Sequence, residues 1–467
     1  MGDSLTRTFS KYVCPLTYAD LPAAVVDKIK ASLLHALIVS IVGADTSHGK
    51  AAIALTKEEE SNADGATILV DGAKVTRAGA AFANSKLMHA TNQTDSYRML
   101  IHPGPCVIPA ALASAELSGA DGRQFITAVA AAYEVEARIA GDFIPATQAR
   151  GFRSSPIYGT LGATMATGLL TGLDEDQMVT ALALACTFTG GTNEGPRGGG
   201  REMMYHEPVA TRNGIMAALL AKENLRGSEM SLEGDAGFYN AFTGNNNGEL
   251  TYSFGGPLQT SFENVVADLG DRWELMHVTP KIYPTAGYNC PVIELMTQLR
   301  ASDAMPPTEI ESITVNMNWL ETLYPSPAFP NPQRGNPGVG STHYFTAYTC
   351  VHGSYPPLRD RIDPGDPTSP NDQQVSDLML RVKVVGEKDR GSFAPRITVV
   401  MRDGTQYQGE FGGDELKWDM AMETKRIREL FSGLHWPINR LEAIVEEVAG
   451  LDKQPNVNSL ILSCVGP

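Results

Sequence analysis

Two neighbouring stretches limit what this chain can become. Residues 158–173 read YGTLGATMATGLLTGL and residues 175–191 read EDQMVTALALACTFTGG. Beyond the acidic start of the second stretch, neither carries a charged side chain. A helix of this composition has no polar face to turn to water, so other helices must cover it on most sides. Its small side chains let those helices come close. The chain therefore needs a large helical body. Its composition, 43% hydrophobic and 19% charged, provides the core for one.

Further helices flank this pair. Residues 20–43, DLPAAVVDKIKASLLHALIVSIVG, place Asp20 as a cap and Pro22 just inside, followed by apolar spacing of helical period up to Gly43. RAGAAFANSKLMHATN is a small-residue helix, and residues 123–141 gather Phe125, Ile126, Val129, Tyr133 and Ile139 on one face. Residues 20–140 thus read as helices throughout, and 210–227 as another closed by Gly227. Past residue 275 the pattern changes. Residues 310–318, 377–387 and 395–410 alternate like strands, with Asp403-Gly404 marking a hairpin. From Asp419 the pattern is helical again. The fold class is therefore mainly α with an inserted α+β domain. Residues 1–274 and 415–467 would form one all-helical domain from both chain ends, and 275–414 a smaller α+β lid domain. The Pro/Gly-rich run 324–341 reads as a lid or an interface.

Several function classes drop out. The net charge is −16 and no Lys/Arg block occurs, so no nucleic acid is expected as partner. The most apolar run, 36–44, is far shorter than the ~20 residues that cross a bilayer, so no membrane is expected either. The N-terminal MGDSLTRTFSKY has no apolar signal core, and the six cysteines are scattered, which points to a cytoplasmic protein with reduced thiols. No Cys/His spacing suits a metal. The loop TGGTNEGPRGGGREMMYHEP is rich in glycine but lacks the Lys-Ser/Thr ending of a phosphate loop.

Four clusters remain as candidates for chemistry. His102 stands between TDSYRML and Pro103-Gly104-Pro105, close to Asn92, Asp95, Ser96 and Arg98. It either caps the helix that follows or faces a cavity. A nearby carboxylate would raise the pKa of its ring and orient it. The glycine-rich loop brings Arg197, Arg201, Met203, His206 and Arg212. Lys281 precedes Tyr283-Pro284 where the helical part gives way to the inserted one. Arg150 and Arg153 precede a small-residue helix. Imidazoles, a lysine and arginines without a metal or nucleotide motif suit proton transfer next to a carboxylate.

The motifs HATNQTDSYRMLIHPGPCVIPAALASAE, GFRSSPIYGTLGA, MMYHEPVATRNGIMAALLA, GDAGFYNAF, KIYPTAGYNC and STHYFTAYTCVHG, in that order over nearly the whole chain, resemble the MmgE/PrpD family. Its members include 2-methylcitrate and alkylcitrate dehydratases, cis-aconitate decarboxylase and iminodisuccinate epimerase. The resemblance implies a helical domain with an α+β lid, a cleft between them, a homodimer and no required cofactor. It implies His102, Lys281 and His206 as catalytic residues. Asp95 and Ser96 match family positions; Arg98, Arg153 and Arg201, read from the residues themselves, are candidate carboxylate clamps, and with Asn92, Met203 and Tyr283 these residues would bind substrate. Departures from the family pattern accompany it: Asn92 and Thr94 for acids, Met203 for a lysine, Arg153 for a histidine, Ala286 for a histidine found in decarboxylases, and His35 for an aspartate.

The resulting expectation is a cofactor-independent lyase for a small polycarboxylic acid. Dehydration of a 2-alkylcitrate or 2-methylcitrate-type substrate leads, because Met203 and Ala286 leave room for an apolar arm. Decarboxylation of a cis-aconitate-like acid, epimerisation of a substituted dicarboxylate, and non-catalytic metabolite binding are the alternatives.

Overall fold

The computed structural model describes residues 2–223, 225–302, 305–332, 337–356 and 373–466. At its centre lies the Ser154–Leu170 helix, buried at every position except Leu169. The uncharged composition of this segment is satisfied by neighbours on all sides: Pro103–Ser118, Gly122–Ala140, Glu175–Phe188 and His206–Leu220. Small residues permit the crossings. At Gly214 a Cβ would fall 2.6 Å from that of Ala163 and 2.7 Å from the Thr160 carbonyl oxygen. Reciprocal capping boxes start two of these helices, Asp121 with Gln124 and Asp174 with Gln177.

The Ala23–Ala44 helix packs outside this group and joins it to the chain's other end. Met420–Ile427 and Ile438–Ala449 lie against it. Polar bonds register the contact. Lys28 Nζ donates to the Trp418 carbonyl at 3.1 Å, and the Met420 amide donates to Asp27 Oδ2 at 2.9 Å. His35 sits in the middle of the same face. Its Nδ1 is 2.8 Å from Glu423 Oε1 and its Nε2 is 2.9 Å from the Gln93 carbonyl.

A second hydrophobic core gathers residues between Val292 and Phe411. Its sheet has Ile310–Asn318 in the interior, parallel to Val382–Glu387 on one side and antiparallel to Arg396–Met401 on the other. Arg396–Met401 pairs in turn with Gln406–Glu410 through the turn containing Gly404 (φ 87°), where the sequence places a hairpin. Helices Asn289–Ser302 and Thr342–His352 pack on this unit. The chain is mainly α with a smaller α+β part, as expected.

Local boundaries differ from the sequence reading for identifiable reasons. Asp20 does not cap the long helix. It closes a 3-10 turn by a reciprocal box with Thr17, and Pro22 takes the cap position. Residues 20–140 are not all helical, because Ser61–Thr67 and Lys74–Val75 pair as a short antiparallel ladder. The helix expected over 210–227 starts at His206 and ends at Leu220. Gly227 instead donates its amide to Thr180 Oγ1 at 3.1 Å. Asp377 belongs to the Gln373–Met379 helix, and its neighbouring strand begins at Val382. In the run 324–341, residues 333–336 lie outside the described residues, so the lid or interface expectation falls partly there.

Candidate functional site

The segment after Arg77–His89 is shaped by three left-handed residues. Asn92 (φ 61°) turns the chain out of the helix, and Arg98 and Met99 (φ 43° and 61°) reverse it. Asparagine tolerates this region better than most residues. Between the turns, Asp95 and Ser96 pair antiparallel with Pro280 and Thr279. The Lys281 amide donates to the Thr94 carbonyl at 2.9 Å, and Gln93 Nε2 donates to the Ile282 carbonyl at 2.7 Å. This ladder sets Lys281 beside the turn that carries His102.

His102 occupies the cap position of Pro103–Ser118, but its side chain makes no capping bond. Its Nδ1 is 2.8 Å from the backbone oxygen of Asp95. A carbonyl only accepts, so Nδ1 carries the hydrogen and Nε2 keeps its lone pair. The His102 amide donates to Ser155 Oγ at 3.1 Å. The Asp95 carboxylate supports the turn. Oδ1 accepts from the Gly104 amide and Oδ2 from the Tyr133 hydroxyl, both at 2.8 Å. Asp95 therefore orients His102 through its main chain and not, as the sequence suggested, by a carboxylate–imidazole contact. A Cβ on Gly104 would lie 2.8 Å from Asp95 Oδ1. Gly104→Ala is accordingly expected to displace the carboxylate and the turn. Turnover should fall on the order of 10²-fold while the far-ultraviolet circular dichroism stays helical.

A second group approaches from the start of the His206–Leu220 helix. Thr211 Oγ1 donates to the Pro105 carbonyl at 3.1 Å and ties the two helix starts together. Glu207 is fully buried. Its Oε1 lies 2.5 Å from Arg153 Nη1 and its Oε2 lies 3.3 Å from His89 Nε2. The His89 and His102 rings are 5.7 Å apart between centroids. One turn before His89, the buried Lys86 ammonium donates to the Met204 carbonyl at 3.0 Å and stands 5.0 Å over the Tyr205 ring.

Burial and charge set the protonation states. Burial pushes His102 well below 6.5, and the cations Lys281 and Arg153 push it further. His89 and His206 are lowered by the same causes, burial first and then Arg153. Burial brings Lys281 down to about 8. Burial alone would raise Glu207, but Arg153, His102 and the Ser155 hydroxyl outweigh it and hold the carboxyl below its usual range. Burial raises Asp95 in spite of its two hydrogen bonds. The sequence reading expected a raised imidazole at His102, and the structure lowers it. At neutral pH the centre thus holds neutral imidazoles, an ammonium at Lys281 and a closed Arg153–Glu207 pair. A neutral imidazole with one nitrogen anchored is a proton acceptor ready for use. Among the described residues, no group of three or more His, Cys, Asp or Glu side chains is placed to hold a metal ion.

Residues 7–251 match the MmgE/PrpD N-terminal domain. The chain belongs to the MmgE/PrpD family. It is 23% identical over 481 residues to the cis-aconitate decarboxylase-like protein oryM of Aspergillus oryzae, across 98% of this chain and 96% of that one. It is 28% identical over 293 residues to the cis-aconitate decarboxylase of Aspergillus terreus, across 61% of this chain and 57% of that one. With the Homo sapiens cis-aconitate decarboxylase it shares 26% over 246 residues, across 51% of this chain and 50% of that one.

The structure gathers some of the candidate residues and spreads others. His102, Lys281, Asp95, Arg153 and His206 share one electrostatic neighbourhood. Ser96 lies fully buried in the same ladder, and half-buried Asn92 turns the chain into it. Half-buried Met203 precedes His206 in the Glu202–Tyr205 turn. Arg98 points elsewhere. It pairs with Asp142 at 3.1 Å and lies over the rings of Tyr97 and Phe254, in a separate cleft with Arg272 and Glu274. Arg201 is exposed. The Tyr283 hydroxyl donates to Glu294 at 2.6 Å and accepts from Arg426 at 3.1 Å. Arg197 and Arg212 pair with Glu194 and Glu60. The sequence reading missed Glu207, His89, Lys86, Ser155 and Tyr133. One signal was present: Lys86 and His89 are titratable residues inside an otherwise small-residue helix, and Glu207 directly follows His206.

Proposed function

We propose that this protein is a lyase acting on a small polycarboxylic acid, with His102 Nε2 as the base that removes a proton next to a carboxylate. The observation that carries this reading is the His102 ring itself, anchored at Nδ1, kept neutral by burial, and set beside the Lys281 ammonium. The carbon's proton passes to Nε2. Lys281 stabilises the negative charge that develops on the adjacent carboxylate. In a 2-hydroxy acid the electron pair then forms a double bond as hydroxide leaves from the neighbouring carbon and takes up a proton. Met203, three residues before His206 where the family pattern has a lysine, is apolar, which suits an alkyl-substituted substrate of the alkylcitrate kind. A second reading, decarboxylation, is favoured by the names of the relatives. It would need a proton delivered to the carbanion that loss of carbon dioxide leaves, from the Lys281 ammonium or from a His102 ring first protonated at Nε2.

Proton NMR in D₂O with 2-methylcitrate, a longer 2-alkylcitrate, citrate, cis-aconitate and a substituted succinate separates these outcomes. New vinylic signals from a hydroxy acid support dehydration. Loss of carbon dioxide from cis-aconitate supports the second reading, and deuterium uptake without net loss of substrate indicates epimerisation. Unchanged spectra throughout would sink the lyase proposal.

The pH profile provides an independent check. With the imidazole pKa held below 6.5 and Lys281 near 8, kcat/KM is expected to be level from pH 6.5 to about 8. It should fall above that as Lys281 loses its proton. Lys281→Arg stays charged and should move the alkaline limb upward. An unmoved limb would remove Lys281 from the role.

A further inference from the structure

We infer that the buried Glu207–Arg153 pair is a specificity device that cancels one carboxylate-binding charge. The site is thereby set for a substrate with two carboxylates rather than three. This rests on the polycarboxylate reading above but departs from its alkylcitrate form, which has three carboxylates, and narrows the substrate class to an alkyl-substituted hydroxydicarboxylate.

The argument is a count of charge around His102. Arg153 stands at the head of Ser154–Leu170, with its main-chain amide donating to the Gly191 carbonyl at 3.0 Å. From sequence it is a permanent cation suited to clamp a carboxylate. Folding supplies its counter-ion first. Glu207 lies 2.5 Å from its Nη1, and the guanidinium and carboxylate side chains are 7% and 0% exposed. At such burial the pair attracts far more strongly than it would in water, so a substrate carboxylate would not readily displace Glu207. The Lys86 ammonium, the other cation near Glu207, is turned to the Met204 carbonyl and the Tyr205 ring. Arg98 is paired with Asp142 in another cleft. His89, His102 and His206 are neutral. Among the described residues, Lys281 and Lys86 are then the cations in this neighbourhood that form no ion pair. A tricarboxylate would bring three negative charges to that balance and leave more of them uncompensated than a dicarboxylate.

Two acids that differ by one carboxylate test this without needing turnover: glutarate and tricarballylate, titrated calorimetrically into the full chain. Wild-type protein is expected to bind glutarate at least as tightly as tricarballylate. Glu207→Gln releases the Arg153 charge, so the ratio of affinities should shift toward tricarballylate by about tenfold or more, the equivalent of ~1.4 kcal/mol. Arg153→Gln should shift it the other way. The double variant Arg153→Gln/Glu207→Gln buries no lone charge and should return the ratio to within roughly threefold of wild type. If Glu207→Gln does not fold, the wild-type ratio and the double variant still decide. Tricarballylate binding wild type ten times tighter than glutarate, or an unchanged ratio in Glu207→Gln, would overturn the inference. The His102 reading is judged separately by deuterium exchange. Exchange with the wrong affinity ratio removes the inference alone; binding of neither acid also removes the inference, and the His102 reading falls only if exchange is absent.

Discussion

His102→Ala is expected to lower kcat by ~10²–10⁴-fold, the usual contribution of a positioned acid/base. The fold should survive. The backbone bond from His102 to Ser155 Oγ remains available to alanine, and the ring makes no capping bond that would be lost. The Asp95 carboxylate keeps its bonds to Gly104 and Tyr133, so the turn should keep its shape. Steady-state turnover, together with deuterium uptake at the substrate carbon, provides the check. Both should fall in parallel, because both need the same proton removed. A loss smaller than about tenfold in a folded variant would leave His102 as a structural residue and move the base to another group.

Glu423→Ala is expected to cost about 3–5 kcal/mol of stability, because it strips the partner from a buried charge. His35 and Glu423 are 2% and 1% exposed, with Nδ1 and Oε1 2.8 Å apart. Burial works against charging His35, yet Glu423 more than offsets it and its pKa lies above 6.5. The sign of the pH dependence follows. The pair's contribution is complete below the unfolded value near 6.5 and is lost as pH rises through the raised folded value. The penalty of Glu423→Gln should therefore be larger at mildly acidic pH than at alkaline pH. Urea midpoints at several pH values measure this. The double change His35→Leu/Glu423→Leu should cost much less than either single loss, since it leaves no lone buried charge. A pH-independent penalty would show that the pair is held as a neutral hydrogen bond. The same ring donates from Nε2 to the Gln93 carbonyl, two residues before Asp95, so loosening it should reach the His102 turn as well.

Much of the architecture could be read before any coordinates. The uncharged stretch 158–173 required an enclosed helix, and Ser154–Leu170 is the most enclosed one described here. Period-two alternation located Ile310–Asn318 and the Asp403-Gly404 hairpin. The order of motifs indicated the MmgE/PrpD family. What escaped were pieces too short to have a period. Asp95–Ser96 and Thr279–Pro280 are two residues each, yet their pairing brings Lys281 to His102. Arg98 and Tyr283 show the converse. Closeness in sequence to His102 or Lys281 did not place their side chains at the site, because Asp142 in one case and Glu294 with Arg426 in the other hold them.

By itself, the sequence determined where the long helices and the longer strands lie and which residue types are available for acid/base chemistry. These follow from local periodicity and composition, which a linear chain carries in full. Only the tertiary structure decided the charge of the site: that His102 is neutral with Nε2 open, that Lys281 titrates near 8, and that Arg153 is already paired with Glu207. Proton affinity and ion pairing depend on dehydration and on distances between segments far apart in the chain, and neither quantity exists until the chain has folded.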